Sequence, residues 1–253
     1  MKLAGITQKD ERGVIGYIRG TSKSYGRGWF EMARDLNGKH VVVVGATGVL
    51  GTQIAAQLVN AGAIVSGVVR DASLLDVTVV RRSAIADIRD GDAIAAALKE
   101  LAPFDGVVNA AGVVAFGDLK DLDNKTLTDL FAINSIAPIV MLRESASLIT
   151  EGGFFLNISA VVAQAPMAGM AAYSASKAAV WGAMIAATRE FRRLKIDVID
   201  ARPPHTETGL ANRPIAGSAP KLPEGLTPLA VATTIVAGLL DGARDLPVEA
   251  FAS

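Results

Sequence analysis

The chain has 253 residues, 51% of them hydrophobic and 20% charged, with 25 Gly and 10 Pro; this is a core-forming composition, well below the roughly 25–30% Gly plus Pro at which low-complexity disorder takes over. Its 25 Lys and Arg balance 25 Asp and Glu, so no global field favours nucleic acid or an anionic membrane, and the most basic stretches are only Arg81-Arg82 and Arg192-Arg193-Leu194-Lys195. With no Cys and two His, disulfides, thiolate nucleophiles and Cys-based metal centres are excluded and no protein metal site is expected.

The chain opens on Met1-Lys2-Leu3-Ala4-Gly5 and reaches Gln8-Lys9-Asp10-Glu11 before any secretory apolar region forms. The most apolar late run, Leu229 to Leu240, has 12 residues against the roughly 18 or more that a spanning helix needs. A cytoplasmic protein without membrane contact is the expectation. Residues 1–38 carry scattered Gly and charge without a sustained period and read as an N-terminal extension. Its aromatics Tyr17, Tyr25, Trp29 and Phe30 point to packing on the body or on a neighbouring subunit, the alternative being an ordinary unpacked terminus.

From Lys39 onward, short β-branched runs alternate with Ala- and Leu-rich helical stretches, the pattern of a parallel sheet covered by crossover helices. The expected strands are Val41–Val44, Ile64–Val69, Gly106–Val108, Phe154–Ile158 and Ile196–Ile199, with Val79–Ala84 and Pro247–Phe251 weaker. The expected helices are Gly51–Ala61, Ala93–Leu101, Thr126–Ser147, Tyr173–Arg193 and Pro228–Gly242. Runs such as Val41-Val42-Val43-Val44 belong to strands buried on both faces. The fold class is therefore α/β, a doubly wound parallel sheet forming a single domain over 39–253.

Directly after the first strand stands Gly45-Ala46-Thr47-Gly48-Val49-Leu50-Gly51, followed by an apolar helix. Glycines permit a tight turn and close approach of backbone to a pyrophosphate, whose charge sits on the free N–H groups of the helix start. A glycine triple alone also suits a ligand-free strand-to-helix turn, and it is the strand-loop-helix context that favours a dinucleotide. The second strand, Ile64-Val65-Ser66-Gly67-Val68-Val69, ends in Arg70, where an NAD site would carry an acidic residue for the ribose hydroxyl. A guanidinium forks onto a 2′-phosphate, so NADP(H) is preferred over NAD(H), unless Asp71 pairs with Arg70.

Tyr173-Ser174-Ala175-Ser176-Lys177 opens the long helix to Arg193, with Tyr and Lys four residues apart on one face. A nearby ammonium lowers the phenol pKa from its usual value of about 10 toward working range. By itself the pair also fits an incidental feature of an amphipathic helix.

Taken with the loop, the sequence from Leu36 to about Glu249 resembles the short-chain dehydrogenase/reductase family, whose fold is the dinucleotide-binding Rossmann fold. Leu36-Asn37-Gly38-Lys39 is similar to its lead-in, and Asp87, followed by Ile88, stands where its acidic residue meets adenine. Asn109-Ala110-Ala111-Gly112 resembles the segment beside the cofactor after the fourth strand. Asn134 matches the helix asparagine of the proton relay. In Arg202-Pro203-Pro204-His205-Thr206-Glu207-Thr208, Pro203, Thr206 and Thr208 fall in the loop that meets the nicotinamide. The resemblance implies hydride transfer between nicotinamide C4 and a ketone or secondary alcohol. Tyr173 would be general acid/base, Lys177 would hold the ribose and tune Tyr173, Asn134 and water would return the proton, and Gly45, Thr47, Gly48, Val49, Leu50 and Gly51 would seat the pyrophosphate. It also implies a homodimer or homotetramer paired through Thr126–Ser147 and Tyr173–Arg193.

Three positions depart from the family. The serine expected thirteen residues before Tyr173 is Ala160, with Ser159 beside it as the candidate substitute if the strand end bulges or turns. The middle loop glycine is Val49, closer to the family's extended and atypical branches, although only residues 203–253 follow the last large strand. Pro204 replaces a glycine and removes an N–H from the loop over the nicotinamide. Of the two histidines, His205 is either a substrate contact or a packing residue, and His40 is structural. The expected substrate is a neutral, weakly polar small molecule, bordered by the loop Thr206–Pro228. The reading from a different class is an NADP(H)-binding sensor or scaffold of impaired catalysis, for which Ala160 is the support.

Overall fold

The structure, a computed structural model, describes residues 33–252; the aromatics Tyr17, Tyr25, Trp29 and Phe30 of the expected extension lie outside them. Residues 34–38 already belong to the body. Leu36 is buried in the core, and Arg34 donates to Asp197 (2.7 Å) and to the Leu239 carbonyl (2.8 Å) while its guanidinium lies 5.1 Å from the Phe154 ring centroid.

In chain order the elements are β1 (His40–Val44), α1 (Val49–Asn60), β2 (Ile64–Val69), β3 (Val80–Ile85), α2 (Gly91–Leu101), β4 (Phe104–Asn109), α3 (Asn124–Phe131), α4 (Ala137–Ser145), β5 (Ile149–Ile158), α5 (Ala171–Phe191), β6 (Asp197–Ala201) and α6 (Pro228–Leu240). The six strands form one sheet in the order β3-β2-β1-β4-β5-β6, every pairing parallel. The α/β doubly wound expectation holds, and the order reverses between β1 and β4, where such sheets open a crevice at the strands' carboxyl ends.

Two cores follow from the two faces of these strands. Val41, Val43, Val108, Leu156 and Ile199 pack with Ile54 and Leu58 of α1 and Val231 and Ile235 of α6. Val42, Val107, Phe155 and Val198 pack with Leu98 of α2, Met141 of α4 and Val180 and Met184 of α5. Alternate residues of one strand serve opposite layers, so both must be apolar.

Two expectations are corrected. Pro247–Phe251 is no strand: Val248–Phe251 is a 3-10 turn, and pairing beside β6 stops at the single bridge Ala201↔Leu246. The proline that follows has no N–H with which to continue a ladder. The helix expected over Thr126–Ser147 is interrupted by a π turn at Ala132–Ile136, because Pro138 has no N–H to give to the carbonyl of Asn134 four residues earlier. Counted through that turn, Asn124–Ser145 is long and apolar enough to span a bilayer by length and hydropathy alone. It instead buries Leu130, Met141 and Leu142 against the body.

Candidate active site

At the reversal point, β1 delivers the glycine loop. Gly45 has a positive φ of 82°, its N–H is held by the Val68 carbonyl (3.0 Å), and a side chain there would lie 3.1 Å from the Ala111 nitrogen. At Gly51 an added Cβ would sit 2.1 Å from the Gly45 carbonyl oxygen. Both positions therefore need glycine for close approach of backbone to backbone. Helix α1 starts at Val49 with no side-chain cap and no acidic residue in its first turn. Its leading N–H groups, at Val49, Leu50 and Gly51, face out with the positive end of the helix dipole, an anion seat. Val49, where the family has glycine, is exposed at the helix start.

Arg70 projects into solvent directly after β2. Asp71 does not neutralise it, because its carboxylate accepts from the N–H (2.9 Å) and hydroxyl (2.7 Å) of Ser73 and so caps the next turn. Asp87 and the partly buried Ile88 follow β3. Both Asp87 oxygens accept from Arg89, whose hydrogen bonds hold that carboxyl down to about 2.

Across the crevice, Asn109 ends β4, and its Oδ1 accepts from the Ala111 N–H (3.2 Å) while Ala110 donates to Val44 (3.0 Å). Asn134, buried in the π turn, accepts from the Val113 N–H (3.0 Å) and donates to the Val113 carbonyl (2.9 Å) and the Ser176 hydroxyl (3.1 Å). Lys177 is buried on α5 and donates to the Ile158 carbonyl (3.1 Å). A side chain at Gly112 would lie 3.3 Å from Asn134 Oδ1 and 3.4 Å from Lys177 Nζ, so amide and ammonium share one small space. Burial pushes Lys177 down to about 8 against the opposing pull of Asp200. Tyr173 goes the other way from the lowering expected of a neighbouring cation: burial pushes its phenol up to about 12. Desolvation sets this direction, and Tyr173 holds its proton at neutral pH.

Ser159 does not occupy the place of the family serine. Its hydroxyl is buried and donates to Asp200 (2.5 Å), so its proton is committed away from any substrate oxygen. Its strand parity is that of Asn157, and the bulge needed to turn it round is absent. Ala160 stands in extended backbone before a 3-10 turn and packs against the apolar cluster that includes Tyr173.

The cavity that opens on Tyr173 has a volume of about 210 Å³, with Phe116, Leu130 and Met170 on its apolar walls and Asp118, Asp121 and Asp123 on an acidic side. Its outer wall is the expected loop, tied down where Ile215 donates to Val114 (2.9 Å) and Phe116 to Ala216 (3.0 Å). Thr206 pairs with Leu226 across the loop's base and Thr208 Oγ1 accepts from the Leu210 N–H (3.3 Å). Pro203 is buried, its carbonyl accepting from Val161 (3.1 Å). Thr47 and Pro204 are partly exposed at the crevice ends. His205 approaches Glu207 (3.2 Å) rather than Tyr173's cavity. His40 has both ring nitrogens occupied, by the Pro103 carbonyl (2.9 Å) and the Ser66 hydroxyl (2.8 Å), which fits its structural role.

Asp200 and Arg202 are buried charges next to this site that were not expected from the sequence. The signal was present: Ile196-Asp197-Val198-Ile199-Asp200-Ala201-Arg202 carries three charges along an apolar strand, and those that fall inside require partners. Burial raises the Asp200 carboxyl above its usual range, with Ser159, Asn157 and Arg202 pulling it back.

Residues 39–216 match the family model for short chain dehydrogenases. The chain belongs to the short-chain dehydrogenase family. Among its relatives, the cyclic-di-GMP-binding biofilm dispersal mediator protein of Escherichia coli K12 is 32% identical over 70% of this chain and 78% of its own length. The 3-ketodihydrosphingosine reductase of Bos taurus is 29% identical over 68% of this chain and 58% of its own. A short chain dehydrogenase from Burkholderia cenocepacia J2315, solved in complex with NADP, superposes with a TM-score of 0.74 at 27% identity, over 85% of this chain and 98% of that one.

Proposed function

We propose that this short-chain dehydrogenase is an NADP(H)-dependent oxidoreductase acting on a ketone/secondary alcohol pair. The reading is supported by the uncapped start of α1, the exposed guanidinium of Arg70, the neighbouring Asn134 and Lys177 beside Gly112, and Tyr173 on the wall of a cavity of about 210 Å³. The NADP in the Burkholderia relative supports it.

When bound, the nicotinamide supplies the hydride donor or acceptor at C4. The protein's own groups do the rest. The α1 N–H groups and Arg70 would hold the dinucleotide's phosphates, and the Asn109–Gly112 segment would form the opposite wall. Lys177, which donates to the Ile158 carbonyl, would hold the ribose and place its positive charge one turn from Tyr173. Tyr173, protonated at neutral pH, gives its proton to the carbonyl oxygen in reduction and takes it back in oxidation. Asn134 anchors the relay by which that proton is replaced. With Ser159 turned to Asp200, Tyr173 on the cavity wall is left to donate to the substrate oxygen without a serine beside it, and slow turnover is expected. A compact ketone suits the cavity's size, its apolar part against Phe116, Leu130 and Met170.

Ala160, together with a relative named as a nucleotide-binding mediator, favours the second reading of an NADP(H)-binding sensor or scaffold. Titration of NADPH and NADH against wild type and Arg70→Ala tests the cofactor. NADPH is expected to bind more tightly than NADH, with the preference lost in Arg70→Ala; equal binding of both by wild type contradicts it.

A further inference from the structure

Asn109, Asn157 and Asp200 stand in register on three adjacent strands, β4, β5 and β6. Each lies two residues beyond Val107, Phe155 and Val198, so all three point to the α2/α4/α5 face, where they are buried. Their hydrogen bonds run one way. The Asn157 amide donates to Asp200 Oδ2 (2.9 Å), the Asn109 amide donates to Asn157 Oδ1 (2.9 Å), and Asn109 Oδ1 accepts from the Ala111 N–H (3.2 Å).

An amide side chain offers a donor at one end and an acceptor at the other, and either can face a neighbour; an ionised carboxylate only accepts. With Asp200 at the end, Asn157 must present its NH₂ there, its carbonyl must then take the Asn109 NH₂, and the Asn109 carbonyl is left for the Ala111 N–H. In the reverse direction two donors would meet at Ala111, one of them buried and unsatisfied. Ala111 is the residue whose nitrogen lies 3.1 Å from a Cβ position on Gly45, so a small shift of it alters the crevice directly.

The charge at the end of the ladder is itself held. Asp200 Oδ1 accepts from Ser159 (2.5 Å) and Arg202 (3.2 Å); Arg202 is clamped by Asp245 (2.8 and 2.6 Å) and Gln164 (2.7 Å) and lies 5.2 Å from the Trp181 ring centroid. We propose that Asp200 is a positioning residue for the dinucleotide, its carboxylate setting the direction of the Asn157–Asn109 ladder and thereby fixing Ala111 in the crevice wall. On this assignment Ser159 serves Asp200 and not the substrate. The role rests on the cofactor reading above.

The test compares wild type, Asp200→Asn and Asp245→Asn by NADPH titration and by amide hydrogen exchange at Ala111, with Val43 and Val65 as reference amides. Asp200→Asn is expected to speed Ala111 exchange about tenfold and to raise the NADPH dissociation constant about tenfold, leaving the references unchanged. Asp245→Asn, which removes a partner of Arg202 but leaves the ladder intact, is expected to stay within about twofold of wild type in both. Should Asp200→Asn not fold once Arg202 loses one of its two carboxylate partners, the double variant Asp200→Asn/Arg202→Met removes both buried charges and is read by the same criteria. Unchanged Ala111 exchange in a folded Asp200 variant overturns the proposal. So does faster exchange with unchanged NADPH affinity, or an equal effect of Asp245→Asn. A wild type that does not bind NADPH at all overturns the cofactor reading and this role together, and it shows before any variant is compared.

Discussion

At the scale of single residues, the site is defined by where two hydroxyls and one ammonium can put their protons. Tyr173 keeps its proton, pushed up to about 12 by burial, so Tyr173→Phe is expected to cut ketone turnover by about 10²–10⁴-fold while NADPH affinity is retained; steady-state kinetics beside titration checks this. Ala160→Ser restores a hydroxyl where Ser159 supplies none, and a rise in turnover of up to about 100- to 1000-fold is expected, with Ser159→Ala giving no comparable loss through substrate contact. Lys177 is held down to about 8 by burial, so it is charged below that pH and neutral above it. NADPH affinity is therefore expected to weaken as pH rises through about 8, and the step is expected to vanish in Lys177→Met. Folding follows the same sign: because the lysine pKa is depressed in the folded state, its burial costs stability below about 8 and the cost is lifted as pH rises toward the unfolded value. Lys177→Met is thus expected to melt at a higher temperature than wild type at neutral pH.

At the scale of elements, what was legible in the sequence was what repeats. Val41–Val44 and Ile64–Val69 read as strands because both faces of a parallel sheet are apolar, and the structure places strands at His40–Val44 and Ile64–Val69. The glycine loop was legible because Gly45 and Gly51 are demanded by backbone contact. Gly51→Ala is expected to abolish NADPH binding and lower the melting temperature, since its Cβ would fall 2.1 Å from the Gly45 carbonyl oxygen. What was not legible depended on partners remote in sequence. The Pro247–Phe251 strand failed because a single proline ends the pairing, and the π turn at Ala132–Ile136 arises from one missing N–H inside an otherwise periodic helix. Ser159 misled because adjacency in sequence to position 160 is opposition in a strand, and its true partner, Asp200, is 41 residues away.

At the scale of the whole molecule, α3, α4 and α5 leave apolar side chains uncovered: Leu127, Ile136 (58% exposed) and Ile139 on the first run and Ile185 on α5. We propose that this face pairs with a second copy, in a homodimer or a homotetramer built on it. Light scattering is expected to give a dimer or tetramer for wild type and a smaller species for Ile136→Glu/Ile185→Glu, because a charge placed in an apolar contact is left unpaired. The most direct measurement of the whole account is ketone-dependent oxidation of NADPH by wild type, Tyr173→Phe and Ala160→Ser over a panel of compact apolar ketones. Slow turnover by wild type, loss in Tyr173→Phe and a faster rate in Ala160→Ser is the predicted result. Tight NADPH binding with no turnover by wild type or Ala160→Ser on any ketone would contradict it and leave the sensor reading in its place.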